Sequence, residues 1–355
     1  MKAIIKREMK NFLKNPIFWI GLVIMTAGIY QLLGPYLNLH YFKSDQEIQS
    51  IVVANTDDAD VMDGYIPASA EEKRETGYGE LRSEMIDRMG LPEQEVDTVI
   101  DTIRNMGVSE ACQYLESEYG YYGAEYFLDG AGYKQGSAQE VNGFLDEKLQ
   151  EHTFSYYFAR KFADFTGLFM AFFATILLAF LFLRDTRKNT YELLHTKPMT
   201  AWQYVLGKTA GGFFTLAIAL GILTIVFSVL CVVYGRAEGF SVNVINIVFA
   251  ACVYILPNML MIVSVYAIVA LIFKNPLPAT PLLFLYIVYS NMGSNGADGQ
   301  YGYHGRVLSI LVRFPGRFFD TELPPMLVLN QTFLIMASVV LIALAVYVWK
   351  RRRVY

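Results

Sequence analysis

Several apolar runs in this chain, at 17–39, 162–183, 210–234, 244–273 and 328–349, reach the ~20 residues that carry an α-helix across a ~30 Å hydrocarbon core. Inside such a core every backbone polar group must be satisfied within the segment, so these runs fold as helices. Hydrophobic residues make up 54% of the 355 positions and the mean hydropathy is +0.33, which fits a polytopic α-helical membrane protein better than two soluble domains. The first run is too long for a removable signal peptide and has no small-residue cleavage site.

The net charge of −4 conceals a strong asymmetry. Residues 44–151 hold 25 acidic and 7 basic side chains, leaving 8 acidic and 22 basic for the rest of the chain. The basic residues gather at 2–14, at 184–208, at Lys274 and at 350–353, and the positive-inside rule places all four groups in the cytoplasm. About six transmembrane helices satisfy that rule: 16–42, 154–183 and four within 209–349. Residues 43–153 then form an acidic, mainly helical extracellular domain and 350–355 a cytoplasmic tail. Pro257 is expected to kink the fourth span. The fifth, from Pro276 to Tyr289, is short for a full crossing. Residues 290–325 contain Val307, Leu308, Ile310, Leu311 and Phe314 among Arg306, Arg313 and Arg317, which reads as an outer interfacial or re-entrant helix.

Residues 1–15 read MKAIIKREMKNFLKN. Ile5, Met9, Phe12 and Leu13 share a helical face while Lys2, Lys6, Arg7, Lys10 and Lys14 cover the rest, the pattern of a helix lying in the inner interface with lysines near anionic headgroups. In the insert, β-branched 48–54 suggests a strand, and 80–89, 92–106 and 109–119 read as helices closed by Gly90, Gly107 and Gly120. Residues 120–136 read as an irregular loop. Its tyrosines, with Tyr114 and Tyr119, fit a modest core or the headgroup level better than a ligand platform. The Ser137–Glu140 capping box opens a helix that meets no proline before Arg184. The spacing predicts one continuous helix into the second span, with Asp164 at headgroup level.

Arg184 to Lys208 joins the second and third spans. Thr190 can N-cap a short helix through Leu193 and Leu194, which Pro198 ends, and a separate amphipathic turn from Trp202 to Leu206 leads into the third span. An ordinary solvated loop fits this pattern. So does a protruding pair of turns that presents Leu193, Leu194, Met199 and Trp202 to a soluble partner.

Glu192-Leu193-Leu194, then Lys197-Pro198-Met199, Tyr204 and Gly207-Lys208, resemble the coupling region of type-2 ATP-binding-cassette exporter permeases. The span layout is similar over most of the chain, the extracellular insert excepted. The resemblance implies that a separate cytosolic ATPase subunit docks on Glu192, Leu193, Leu194, Lys197, Pro198, Met199 and Trp202. It implies that the N-terminal elbow helix touches the same partner, with Lys6, Arg7, Lys10, Arg187 and Lys208 at the cytoplasmic interface. Lys208 is expected at the membrane edge, snorkelling to headgroups. A second permease subunit, identical or related, is implied too. No cofactor is expected on this chain, since ATP and Mg belong to the partner.

Other chemistries fit poorly. Gly207-Lys208-Thr209 echoes the end of a phosphate-binding loop, but Trp202 stands where the first glycine is required. His40, His152, His195 and His304 lack metal-ligand spacing, and Ser309 with His304 makes no triad. Cys112 is alone in the insert, which excludes a disulfide within it. The spans carry almost no ionisable residues, against an ion-coupled transporter, and nothing points to nucleic acid. The sequence is thus read as a plasma-membrane permease subunit of an ATP-driven exporter moving a peptide antibiotic, a lipid or another amphiphile. The alternative is a receptor whose acidic outer domain binds a ligand.

Overall fold

The computed structural model describes residues 1–53, 59–128, 132–181, 199–295, 301–303 and 305–352. They divide into a membrane unit, Met1–Leu39 with Leu149–Tyr355, and an insert unit, His40–Lys148.

Helix α1 (Lys2–Leu13) is followed at once by α2 (Pro16–Leu37). The Asn15 side chain caps α2 by accepting from the Ile17 amide at 3.1 Å, and Pro16 occupies a first-turn position where its missing N–H costs nothing.

The insert begins with α3 (Asp45–Gln49), whose first-turn Asp45 and Glu47 favour a helix start; it takes in residues 48 and 49, and 50–53 form no strand, so the strand expected at 48–54 is absent among the described residues. Strand β1 (Tyr65–Pro67) then leads to α4 (Ala70–Asp87), α5 (Glu93–Ile103) and α6 (Val108–Tyr119). Helix α4 starts well before Glu80 because Ser69 and Glu72 form a reciprocal capping box. Residues 120–136 are not wholly irregular: they contain α7 (Ala124–Leu128) and β2 (Tyr133–Gln135), which pairs antiparallel with β1. Leu81, Met85, Val96, Val99, Ile103 and Leu115 make the core, and Tyr114, Tyr119 and Tyr121 pack on its rim. Lys134 of β2 reaches both Glu72 and Glu140 at 2.7 Å.

Helix α8 (Ala138–Glu151) opens with the expected Ser137–Glu140 box, but it does not continue into the membrane. The chain is extended at Thr153, and α9 (Phe154–Leu178) starts afresh. The free amide of Phe154 donates to the Ser241 carbonyl at 3.1 Å, and the Ser155 hydroxyl accepts from the Asn243 amide at 2.7 Å. The Ser241 carbonyl therefore takes an N–H of α9 where a continuous helix would have used its own preceding turn, and Ser155 ties residue 243 to the same helix start.

Among the described residues the remaining helices are α10 (Ala201–Ala237), α11 (Ile245–Phe273), α12 (Ala279–Asn291) and α13 (Leu327–Arg352). Among the described residues five helices, α2, α9, α10, α11 and α13, are long and apolar enough to cross a membrane. The 13 residues of α12 rise only ~20 Å, short of a ~30 Å core. Helix α10 absorbs the Trp202–Leu206 turn into one run of 37 residues. In α11 a π-turn at Ala251–Ile255 precedes Pro257, where the proline ring would crowd the carbonyl of Val253 and offers it no N–H. Gly21 and Gly28 of α2 admit Phe173 and Phe169 of α9, whose rings lie 2.5 and 2.6 Å from where a Cβ would stand.

No helix forms among the described residues of 305–322, where an interfacial or re-entrant one is expected. After the small hairpin of β3 (Ser294–Asn295) and β4 (Tyr301–Gly302), this segment runs as an irregular strap. Ile310, Leu311, Val312, Phe314, Phe318 and Phe319 are buried along it. Gly316 interrupts the apolar face and Asp320 accepts from the Arg317 amide at 2.6 Å, a local turn that competes with a helix.

Candidate functional site

Among the described residues, two junctions hold the buried charged side chains of the membrane unit. The first joins α1 to the start of α10. Ile4, Glu8 and Phe12 recur every four residues and form the packing strip of α1. Ile4 lies against Gly207, where a Cβ would meet its Cβ at 2.9 Å. Glu8 lies against Gly211, with 2.6 Å to its Cβ. The glycines, four apart, let the two helices approach closely, as small residues do where helices pack in lipid. Between them Lys208 Nζ meets Glu8 Oε1 at 2.9 Å, with both side chains nearly withdrawn from solvent. Lys208 is thus buried in an ion pair, where the sequence predicts snorkelling to headgroups. The single acid among the basic residues of 1–15 supplied the attraction.

The second junction fastens the 305–322 strap to α9. Arg160 donates to the carbonyls of Asp320, Thr321 and Glu322, the last at 3.1 Å. Lys161 donates to those of Phe314, at 3.2 Å, and Gly316. Asp164 pairs with Arg313. Arg160, Lys161 and Asp164 are each buried, so Asp164 is an interior residue and not one at headgroup level. Irregular backbone away from water needs donors for its carbonyls, and these cations provide them. Phe318 adds ring contacts with Tyr36, Phe154 and Tyr157 at 5.5–5.9 Å. Gly212 at the first junction faces Leu178, so ~25 Å of α9 separates it from Lys161 at the second.

A family model described as ABC-2 family transporter protein matches residues 2–353. The chain belongs to this family. Neither the curated proteins nor the solved structures give a significant match. The ABC-2 chain is a multi-pass membrane permease subunit; its family is one of transport rather than catalytic subunits and typically works with an ATPase partner.

In this ABC-2 permease the expected site residues fall into three groups. Lys6, Arg7 and Lys10 are exposed on α1, while Lys208 is enclosed beneath it. Met199 is half-buried just before the Thr200 cap of α10, and Trp202 is 53% exposed on its first turn. Arg187, Glu192, Leu193, Leu194, Lys197 and Pro198 lie outside the described residues. The junctions bring together residues that the sequence reading passed over. For Glu8 and Gly211 the signals were a lone acid in a basic stretch and a glycine four residues after Gly207, which the sequence reading notes only beside Lys208. For Arg160 and Lys161 the signal was a charged pair inside an aromatic run placed above the second span.

Proposed function

We propose that this permease exports an amphiphile, driven by a cytosolic ABC ATPase that docks at Glu192 to Met199 and beside α1. The observation that carries the reading is the α1–α10 junction. Trp202 lies six residues before Lys208 on one unbroken helix, so a force applied at 184–202 acts directly on the residue that holds α1. Helix α10 is ~55 Å long, and a tilt at its start is passed along its whole length. Alpha1 and the first turns of α10 then move as one lever. Closure of the ATPases around nucleotide would bias a two-state rocking of the helices between inward-facing and outward-facing forms.

Charge supports the orientation, with both termini, 184–208 and Lys274 inside and the acidic insert outside. Five crossings alone would leave the C-terminus outside, so α12 serves in this reading as the sixth passage, across a locally thin part of the membrane. Helices α2 and α13, the least buried of the long ones, offer apolar surface to lipid or to a second permease subunit. The acidity of the insert favours a cationic peptide among the amphiphiles.

The test is recovery of partners with tagged full-length protein from its native membrane under mild extraction. An ATPase carrying a complete phosphate-binding loop should accompany the wild type, and Glu192→Arg with Leu194→Asp should reduce it at least tenfold. If well-folded wild type brings down no ATPase, the coupling assignment fails and the insert becomes the place to seek a ligand.

A further inference from the structure

Residues 184–208 join the membrane unit at the end of α9 as well as at the start of α10. The last carbonyls of a helix have no amide of their own helix ahead of them. Past Leu178 the chain tightens into three-residue turns, with the Phe180 amide on the Leu177 carbonyl at 3.5 Å and the Leu181 amide on that of Leu178 at 2.7 Å. The Thr175 carbonyl, in the last turn, accepts from another helix: the Tyr266 hydroxyl of α11 donates to it at 2.5 Å. A phenol has one proton, so the Tyr266 oxygen is left to accept from the Thr280 hydroxyl, 2.9 Å away on the first turn of α12. Thr175 turns its own hydroxyl to the Ala171 carbonyl at 2.9 Å and does not compete. Tyr266 is fully buried, so α9, α11 and α12 meet on one hydroxyl away from water. About one turn away, Phe172 of α9 and Phe284 of α12 are in ring contact at 6.0 Å.

We propose that Tyr266 is a positioning residue for transport, keeping α12 in step with α9 so that a movement of 184–208 reaches the short sixth passage. The inference rests on the reading of 184–208 as the coupling region. Thr175 stands nine residues before Arg184, and α9 is regular helix up to Leu178, so displacement of the segment acts on the carbonyl that Tyr266 holds. Helix α12 does not fix its own depth by length, since its ~20 Å rise falls short of the hydrocarbon core. Its depth is set by its neighbours, and the Thr280 hydroxyl is where its inner turn is held. A buried ion pair such as Glu8–Lys208 suits a fixed joint. Neutral hydroxyl bonds, individually weak, suit one that yields and re-forms as the helices rock.

The experiment uses the full-length permease purified with its ATPase, with Cys112, Cys231 and Cys252 replaced. A single bimane label is placed on Leu282→Cys of α12 or on Ile225→Cys of α10, both exposed positions. Trapping with ATP and vanadate should shift the emission of either label in this parent protein. In Tyr266→Phe, which keeps the ring and removes the hydroxyl, the α12 shift should fall about fivefold, the scale of one lost hydrogen bond, while the α10 shift persists. Thr280→Val should do the same, and Thr280→Ser should restore the α12 shift, a rescue that loosened packing alone would not give. An undiminished α12 shift in Tyr266→Phe and Thr280→Val would overturn the proposal, as would loss of both shifts together. An α10 shift without an α12 shift in the parent protein would overturn it and leave the coupling reading standing. If no ATPase accompanies the parent protein, the coupling reading itself falls, and this inference with it.

Discussion

Glu8 of α1 and Lys208 of α10 form a 2.9 Å ion pair that is shut away from solvent on both sides. An enclosed pair of this kind adds little net stability over an apolar pair, but loss of one member strands the other charge. Lys208→Met is therefore expected to destabilise the permease by about 3–5 kcal/mol, while Glu8→Leu with Lys208→Met recovers most of that loss. Thermal unfolding in detergent checks it. A double variant as unstable as the single one would mean that the pair is not the relevant contact.

Gly211 and Gly221 lie in the same helix and should respond oppositely to alanine. Relief of glycine flexibility in a helix is worth about 1 kcal/mol. At Gly221 nothing stands within 4 Å of the new Cβ, so Gly221→Ala should be neutral or stabilising. At Gly211 the Cβ would come within 2.6 Å of the Glu8 Cβ, which is near the backbone and cannot swing away. Overpacking costs about 1–3 kcal/mol and outweighs the gain, so Gly211→Ala should lower the unfolding temperature and loosen α1. Equal behaviour of the two variants would contradict the close approach.

The strap depends on donors from α9. Arg160→Met removes the hydrogen bonds to three successive carbonyls, and Arg160→Lys restores only part of them because an ammonium lacks the planar fork. Hydrogen exchange over 310–322 should rise several-fold in the methionine variant and less in the lysine one, with α1 unaffected. Unchanged protection of the strap in Arg160→Met would show that its ring contacts alone hold it.

The insert should weaken in acid through one lysine. Hydrogen bonds from Lys134, helped by the amides of Ser69 and Ser137, hold the carboxyls of Glu72 and Glu140 at about 2, against 4.5 in an open chain. Folded values below unfolded ones mean that this stabilisation is complete above about 4.5 and is lost as pH falls from there through about 2. Pepsin digestion of the full chain at stepped pH should show cleavage between 65 and 140 rising across that window in wild type. Lys134→Met should start higher and change less. Parallel curves would leave the bridge without a role.

The spans were legible because lipid leaves a twenty-residue apolar run one way to satisfy its backbone. Caps formed by neighbouring residues, such as Ser137 with Glu140, were equally plain. What escaped was structure decided by distant partners. The break at Thr153 depends on Ser241 and Asn243, about ninety residues on. The strap looks helical by its apolar content and is held irregular by Arg160 and Lys161, far earlier in the chain. Lys208 is basic at a span edge, a pattern shared by snorkelling residues, and only the fold reveals Glu8 opposite it.

The lever itself is open to a direct measurement. In a chain with Cys112, Cys231 and Cys252 replaced, Ile4→Cys and Gly207→Cys place two thiols on facing positions whose Cβ atoms would be 2.9 Å apart, within about 1 Å of disulfide geometry. ATP hydrolysis by the co-purified ATPase is then compared before oxidation, after it and after reduction. If α1 and α10 move as one body, the locked and unlocked forms should hydrolyse ATP at the same rate. A loss on oxidation that reduction restores would show that α1 slides over α10 during the cycle, and the lever would be contradicted.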